Sequence, residues 1–303
     1  MKISVIGIGK VGATVAFVLA EDGLASEIVL WNRNAIAARA NALDIEQACA
    51  FTPYRVAIRA GEIEDTAGSD ILVMCASVPT PAQMVDRCDL AAGNIALMRA
   101  LVPRFAALSP HAVIVNVTNP VDAISWHILQ LSAFPWQRVI GTGTLVDSAR
   151  FRDILSQQVG IHPLDIRAYI LGEHGDTQFA ALSIATAGGE HIDATPARYT
   201  MLDEAKQTAF EVLRGKGYTN YAVAMAVRTI VEAVVRDLCA TLPVSVRIDG
   251  FCGVSDVCLS IPAVIGRGGV HFTLVPDLSA AEQDAFRRSA AVVRRAIEAT
   301  GEA

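Results

Sequence analysis

The chain begins with a short apolar run, Lys2–Ile6, that breaks at once on the glycines of GIGKVG (Gly7 to Gly12) and resumes as a helical stretch, Val11–Ala20. This order constrains the fold more than any other feature. A run of Val and Ile with no polar face reads as a strand buried on both sides, and here it is followed directly by a helix. The rhythm repeats. Candidate strands at Glu27–Trp31, Ile71–Cys75, Ala112–Val117 and Arg138–Ile140 alternate with helical stretches at Ala35–Ala50, Leu90–Leu108 and after Val121. Such alternation requires a parallel sheet covered by helices, and right-handed crossovers reduce the choice to doubly wound topologies.

The glycine loop gives that sheet a ligand. In GxGxxG, Gly7 allows a tight turn, Gly9 lets a pyrophosphate approach the backbone, and Gly12 permits close packing of helix on strand. The helix N-terminus offers N–H groups and a positive dipole to the phosphates. The spacing alone is weak evidence; set between a first strand and a first helix it points to a dinucleotide. A Rossmann-type strand two should then end in an acid that binds the adenosine ribose. This chain reads EIVLWNRN there, with Asn32 and then Arg33 at the expected position.

After Gly141 the rhythm changes. A helix at Ser148–Val159 leads to an apolar run ending in LGEHGD (Leu171 to Asp176), then to helices at Met201–Arg214 and Tyr221–Thr241. Strands at Val244–Phe251, Val257–Ile265 and Val270–Leu274 precede a last amphipathic helix, Ser279–Thr300. The expected fold class is therefore α/β. A Rossmann-type doubly wound parallel sheet over residues 1–142 binds the dinucleotide, and an α+β substrate domain over 143–303 carries the chemistry. No Pro/Ser-rich linker separates the halves, so they pack as one body.

Composition narrows the function classes. Apolar residues make up 52% of the 303 and charged ones 18%, with a net charge of −6 and no basic run, which argues against nucleic acid as a partner. The six cysteines are scattered without a CxxC pair and read as reduced thiols, not disulfides or metal ligands, so no metal site is expected. No apolar stretch approaches the ~20 residues of a spanning helix, and the glycines interrupt MKISVIGIGK too early for a signal peptide. A cytoplasmic protein without a membrane partner is expected.

Several residues stand where open α/β sheets bind ligands, at the carboxyl ends of strands. VTNPVD ends the fourth strand with Asn119 before a proline, which alone could be a turn cap. GTGTLVDSARFR (Gly141 to Arg152) puts Asp147 and Arg150 three apart at a helix start, facing one side; alone they could be a surface ion pair. The loop SVPTPAQMVDRCDL carries Arg87 near its end. His174 sits on the glycine-flanked turn of LGEHGD. A lone loop histidine is more often without a task, so its role rests on the company it keeps.

Together these segments resemble the L-lactate/malate dehydrogenase family over essentially the whole chain. The carrying motifs are GIGKVG, MVDRCDL, VTNPVD, GTGTLVDSARFR, LGEHGD, GKGYTNYA (Gly215–Ala222) and SIPAVIGRGGV (Ser260–Val270). Within the family, the GTGT, GKGYTNY and PAVIGRGGV segments are most similar to the L-2-hydroxyisocaproate dehydrogenases. The resemblance implies hydride transfer between a nicotinamide dinucleotide and a small 2-hydroxy or 2-oxo acid, in a homo-oligomer, dimer or tetramer. It implies that His174 is the acid–base group, because imidazole titrates near neutral pH, and that Asp147 orients it. Arg150 would clamp the substrate carboxylate, Arg87 would polarise the carbonyl, Asn119 would orient substrate or nicotinamide, and Thr219 would line the pocket. Gly7, Gly9, Gly12, Asn32 and Arg33 would bind the cofactor.

Two departures shape the specificity expected. Family members that use malate carry an arginine six residues before the catalytic arginine; here that position is Pro81, and Val78–Asp86 contains no Arg or Lys. Burying a second carboxylate without a cation costs several kcal/mol, so a monocarboxylic acid with an apolar side chain is expected, with Ala82, Met84 or Val85 beside it. At the ribose, an acid binds two hydroxyls and repels the 2′-phosphate of NADP. Asn32 removes that repulsion and Arg33 offers a cation, so the cofactor is NAD or NADP, with the balance towards NADP. The alternatives are a malate dehydrogenase whose arginine comes from elsewhere, and a non-catalytic nucleotide-binding protein, which would be expected to have lost some of the catalytic set.

Overall fold

The computed structural model describes residues 1–79 and 87–299; the side chains of residues 87–89 lie outside the description. The first half follows the expected alternation: β1 (Lys2–Ile6), α1 (Lys10–Glu21), β2 (Glu27–Trp31), α2 (Ala35–Cys49), β3 (Ala57–Ala60), β4 (Ile71–Met74), α3 (Arg87–Leu108), β5 (Val113–Asn116), α4 (Val121–Ser132) and β6 (Val139–Gly141). These six strands pair in parallel in the order β6-β5-β4-β1-β2-β3. Strand side chains alternate between faces, and β4 shows the consequence. Ile71 and Val73 join a core with Val15 and Leu19 of α1, while Leu72 and Met74 join another with Met98 and Phe105 of α3. Both faces are buried, which is why β4 reads as an unbroken apolar run.

The second half contributes α5 (Leu145–Val159), the short strands β7 (Ile166–Arg167), β8 (Ile170–Leu171), β9 (Phe179–Ala180), β10 (Thr186–Ala187) and β11 (Glu190–His191), and the helices α6 (Pro196–Lys216) and α7 (Tyr221–Arg236). The long strands β12 (Ala240–Asp249), β13 (Ser255–Gly266) and β14 (Gly269–Thr273) precede α8 (Ala280–Glu298). The last three extend the parallel sheet: β12 pairs with β6 through Ser245 and Gly141, and one nine-stranded sheet runs through both halves. Phe151 and Leu155 of α5 and Leu202 of α6 close a further core over β7 and β8. Among the described residues no helix is long and apolar enough to cross a membrane.

Two departures from the sequence expectations bear on the nine-stranded sheet. β3 was not anticipated: AIRA is only four residues long, alternates exposed and buried, and gains its strand character by pairing with β2 at the sheet edge. The helix expected over Tyr221–Thr241 ends at Arg236. Asp237 takes a left-handed conformation (φ 54°) and the chain turns into β12. The run LCATL is apolar enough for either state, and pairing with β13 makes its Ala240, Thr241 and Leu242 a strand.

Candidate active site

The functional side chains gather at the carboxyl edge of the parallel strands. Gly7 follows β1 with φ +97°, and a Cβ there would lie 2.4 Å from the Ala76 backbone nitrogen. A Cβ on Gly12 would lie 2.1 Å from the Gly7 carbonyl oxygen, so α1 can approach β1 only without one. Gly9, by contrast, has nothing within 4 Å of where its Cβ would be. It stands at the N-cap of α1 without a side-chain cap, so open space meets uncapped N–H groups of the helix start. That cradle fits a dinucleotide pyrophosphate. Asn32 lies beside it: its Oδ1 accepts the Ile8 N–H at 3.3 Å and its Nδ2 donates to the Asn34 carbonyl at 3.3 Å. Arg33, next along, is exposed.

The loop after β5 carries Asn119, whose peptide bond to Pro120 is cis. Its side chain is exposed, and its carbonyl accepts Asn94 Nδ2 at 2.7 Å. Asn94, fully buried on α3, also accepts the Val78 N–H at 2.8 Å, so one amide ties together the loops after β4 and β5. Nothing in the sequence distinguished it from other helical asparagines.

His174 is set by a framework of hydroxyls. Thr144 donates to the Ile170 carbonyl at 2.5 Å, Ser148 Oγ accepts the Ile170 N–H at 2.9 Å, and the backbones of Gly172 and Ser260 exchange hydrogen bonds. These fix β8 against the start of α5. The imidazole Nδ1 then lies 2.6 Å from Asp147 Oδ2, while Arg150 reaches the other oxygen, Oδ1, at 3.4 Å. Asp147 and Arg150 are mostly buried, and the His174 ring keeps 30% of its side-chain exposure. A carboxylate only accepts, so Nδ1 carries the proton and Nε2 of the neutral ring has the free lone pair. Burial works against charge on both partners. For Asp147 it is outweighed by the charge and hydrogen bond of His174 and by Arg150, which hold the carboxyl below its usual range. Burial likewise lowers the His174 pKa, but Asp147, by charge and hydrogen bond, and then Asp122 outweigh it. The net effect pushes the ring up to about 9.

Thr219 is half-buried in the segment between α6 and α7. Its neighbours bind that segment to the glycine-loop helix: Asn220 Nδ2 donates to Thr14 at 2.8 Å, and Lys10 Nζ sits 3.9 Å from the centre of the Tyr218 ring. Tyr218 and Tyr221 pack against lysines here, as the start of a helix would. Arg87 begins α3, but its side chain lies outside the described residues, as do Thr80–Asp86, which carry the substrate-sorting expectation. Asp122, which no sequence motif singles out, accepts the His174 N–H, and Ser245 in turn donates to Asp122.

Comparison with known proteins agrees with this architecture. Residues 1–141 match the profile of the lactate/malate dehydrogenase NAD-binding domain, and residues 144–303 match that of the family's α/β C-terminal domain. An L-lactate dehydrogenase of Thermoanaerobacter sp. is 40% identical, covering 98% of each chain; one from Clostridium perfringens is 37% identical, covering 97% of this chain and 95% of its own. The crystal structure of a minor L-lactate dehydrogenase from Enterococcus mundtii, in a ligands-bound form, superposes with a TM-score of 0.95 at 29% identity, over 100% of this chain and 99% of that one. With both halves matched in order, the chain belongs to the lactate/malate dehydrogenase family, whose N-terminal half is an NAD-binding domain.

Proposed function

We propose that the chain is an L-2-hydroxyacid dehydrogenase that interconverts a 2-hydroxy and a 2-oxo monocarboxylic acid with an apolar side chain, residues 1–142 binding the dinucleotide and 143–303 carrying the proton chemistry. The observation that carries this reading is the 2.6 Å contact between His174 Nδ1 and Asp147, with Arg150 alongside. The nicotinamide supplies the hydride acceptor or donor. His174 handles the proton: its Nε2 takes the hydroxyl proton during oxidation and returns it to the carbonyl oxygen during reduction. Asp147 holds the ring's orientation and balances the charge it acquires, as the aspartate of a serine protease triad does. Arg150 binds the substrate carboxylate through paired hydrogen bonds, which brings the 2-carbon into register for hydride transfer. Arg87 stabilises charge on the carbonyl oxygen, Asn119 orients substrate or nicotinamide, and Thr219 lines the pocket.

The relatives named L-lactate dehydrogenases support a small 2-hydroxy acid. The apolar preference rests on the lack of Arg or Lys in Val78–Asp86. The family match supports NAD(H); use of NADP(H) at least as well is our extension from Asn32 and Arg33. We place the enzyme in the cytoplasm as a dimer or tetramer, a point sedimentation would settle. The test of activity is the absorbance of the reduced nicotinamide during turnover of pyruvate, branched aliphatic 2-oxo acids and oxaloacetate with each cofactor. Branched aliphatic acids are expected to outperform oxaloacetate. Oxaloacetate as the best substrate would make this a malate dehydrogenase, and no turnover at all would leave a nucleotide-binding protein.

A further inference from the structure

We propose that Asp122 is a positioning residue for the proton transfer: its carboxylate holds the backbone of His174, and its charge acts with that of Asp147 to set the proton affinity of the ring. This rests on the reading of His174 as the acid–base group. Asp122 lies in the first turn of α4 and is 3% exposed. Its Oδ2 accepts the His174 N–H at 2.7 Å and its Oδ1 accepts the Ser245 hydroxyl at 2.5 Å. Two oxygens thus join the first half of the chain to the histidine loop and to β12. His174 is held twice, at the ring by Asp147 and at the main chain by Asp122.

The chemistry of the contacts separates what charge adds from what geometry adds. An asparagine could make both hydrogen bonds, accepting from the His174 N–H and donating to Ser245, without the penalty of burying an ion. That penalty is present: burial raises the Asp122 carboxyl to about 6, against the Ser245 and His174 hydrogen bonds and the His174 charge, which lower it. What the acid adds over the amide is negative charge beside a ring that must carry a proton. Among the described residues, the charged groups that act on that ring are Asp147 and Arg150 from α5 and Asp122 from α4, while Glu173, in the same loop as the ring, acts on Asp122. From about pH 6 to about pH 9 both carboxylates are ionised while the ring is protonated, the state needed to deliver a proton to a carbonyl oxygen.

The test is the pH dependence of kcat/KM in both directions for the wild type, Asp122→Asn, Asp122→Ala and His174→Ala. Reduction requires the protonated ring, so in the wild type it is flat below the His174 pKa and falls as pH rises through it; oxidation requires the neutral ring and rises there. Removing the charge lowers the ring's proton affinity. In Asp122→Asn both limbs should therefore move to lower pH, by about one unit, with affinity for the reduced cofactor unchanged. Asp122→Ala also releases the backbone and should lower kcat about ten- to a hundredfold. Should Asp122→Asn fold poorly, the limbs of Asp122→Ala, which also lacks the charge, should move the same way. Limbs that stay at the wild-type pH in a folded Asp122→Asn or Asp122→Ala overturn the proposal alone. A His174→Ala enzyme that keeps both its activity and its limbs overturns the reading of His174, and this inference with it.

Discussion

The glycine cradle opens at the end of β1, the acid–base centre forms where the turn after β8 meets the start of α5, and the two are built in opposite ways. The cradle is contiguous, Gly7 to Gly12, and works through backbone and missing side chains: a left-handed turn, a 2.1 Å approach that leaves no room for a Cβ, and open space over Gly9. The acid–base centre is assembled from distant parts. His174 meets Asp147 across 27 positions and Asp122 across 52, and Ser245 joins Asp122 across 123. One site is specified by shape and the other by charge. Substitutions should therefore separate cofactor affinity from turnover.

The largest effect is expected at the charged centre. His174→Ala should lower turnover by ~10²–10⁴-fold, the usual contribution of general acid–base catalysis, while fluorescence titration finds cofactor affinity nearly intact. Retention of more than about a tenth of the rate would break the comparison, because the centre would then not depend on a titrating ring.

Gly12→Ala should do the reverse. The new methyl meets the backbone carbonyl of Gly7, not the end of a flexible side chain, so α1 must move off β1. A loss of about 1–3 kcal/mol in stability is expected, seen by denaturant unfolding, with weaker cofactor binding and near-normal turnover once cofactor is saturating. Unchanged affinity would show that the helix start is not the phosphate site.

The smallest effect is expected at the rim of the cradle. Asn32→Asp restores an acid at the ribose position and should shift preference towards NAD(H), while Arg33→Ala should weaken NADP(H) most. Each change is expected to be up to about tenfold in kcat/KM, the scale of one hydrogen bond or ion pair. A wild-type kcat/KM more than about tenfold higher for NADH would remove NADP(H) from the proposal and leave Asn32 as a ribose ligand without discriminating power.

The parts of the molecule that could be read in advance are those written in neighbouring residues. β1, β2, β4, β5 and β6 announced themselves as apolar runs because a strand buried on both faces has no polar face to interrupt it. β3 did not, since its four residues alternate and gain their state from β2. The sequence expects helix up to Thr241 because local propensity does not choose between helix and strand for a short apolar run; Asp237 in the left-handed region ends the helix, and pairing with β13 makes Ala240 and Thr241 strand. In the site, the glycine loop and the residue types of the histidine loop were legible because they lie within motifs.

By itself the sequence determined the parallel sheet and the position of the glycine turn, because backbone geometry and periodicity act over a few residues; that a histidine, an aspartate and an arginine act together is implied only by the family resemblance. Only the tertiary structure decided that Asp147 turns one oxygen to the ring and the other towards Arg150, that Asn94 ties two loops together, and that a second carboxylate stands behind the histidine. Those are matters of tenths of an ångström between side chains far apart in the chain. The last of them is held where β12 continues the sheet of the first half and brings Ser245 to Asp122. Burial then gives these charges their effect: away from water, a carboxylate is held by its few fixed partners, and its field reaches the ring it faces with little screening.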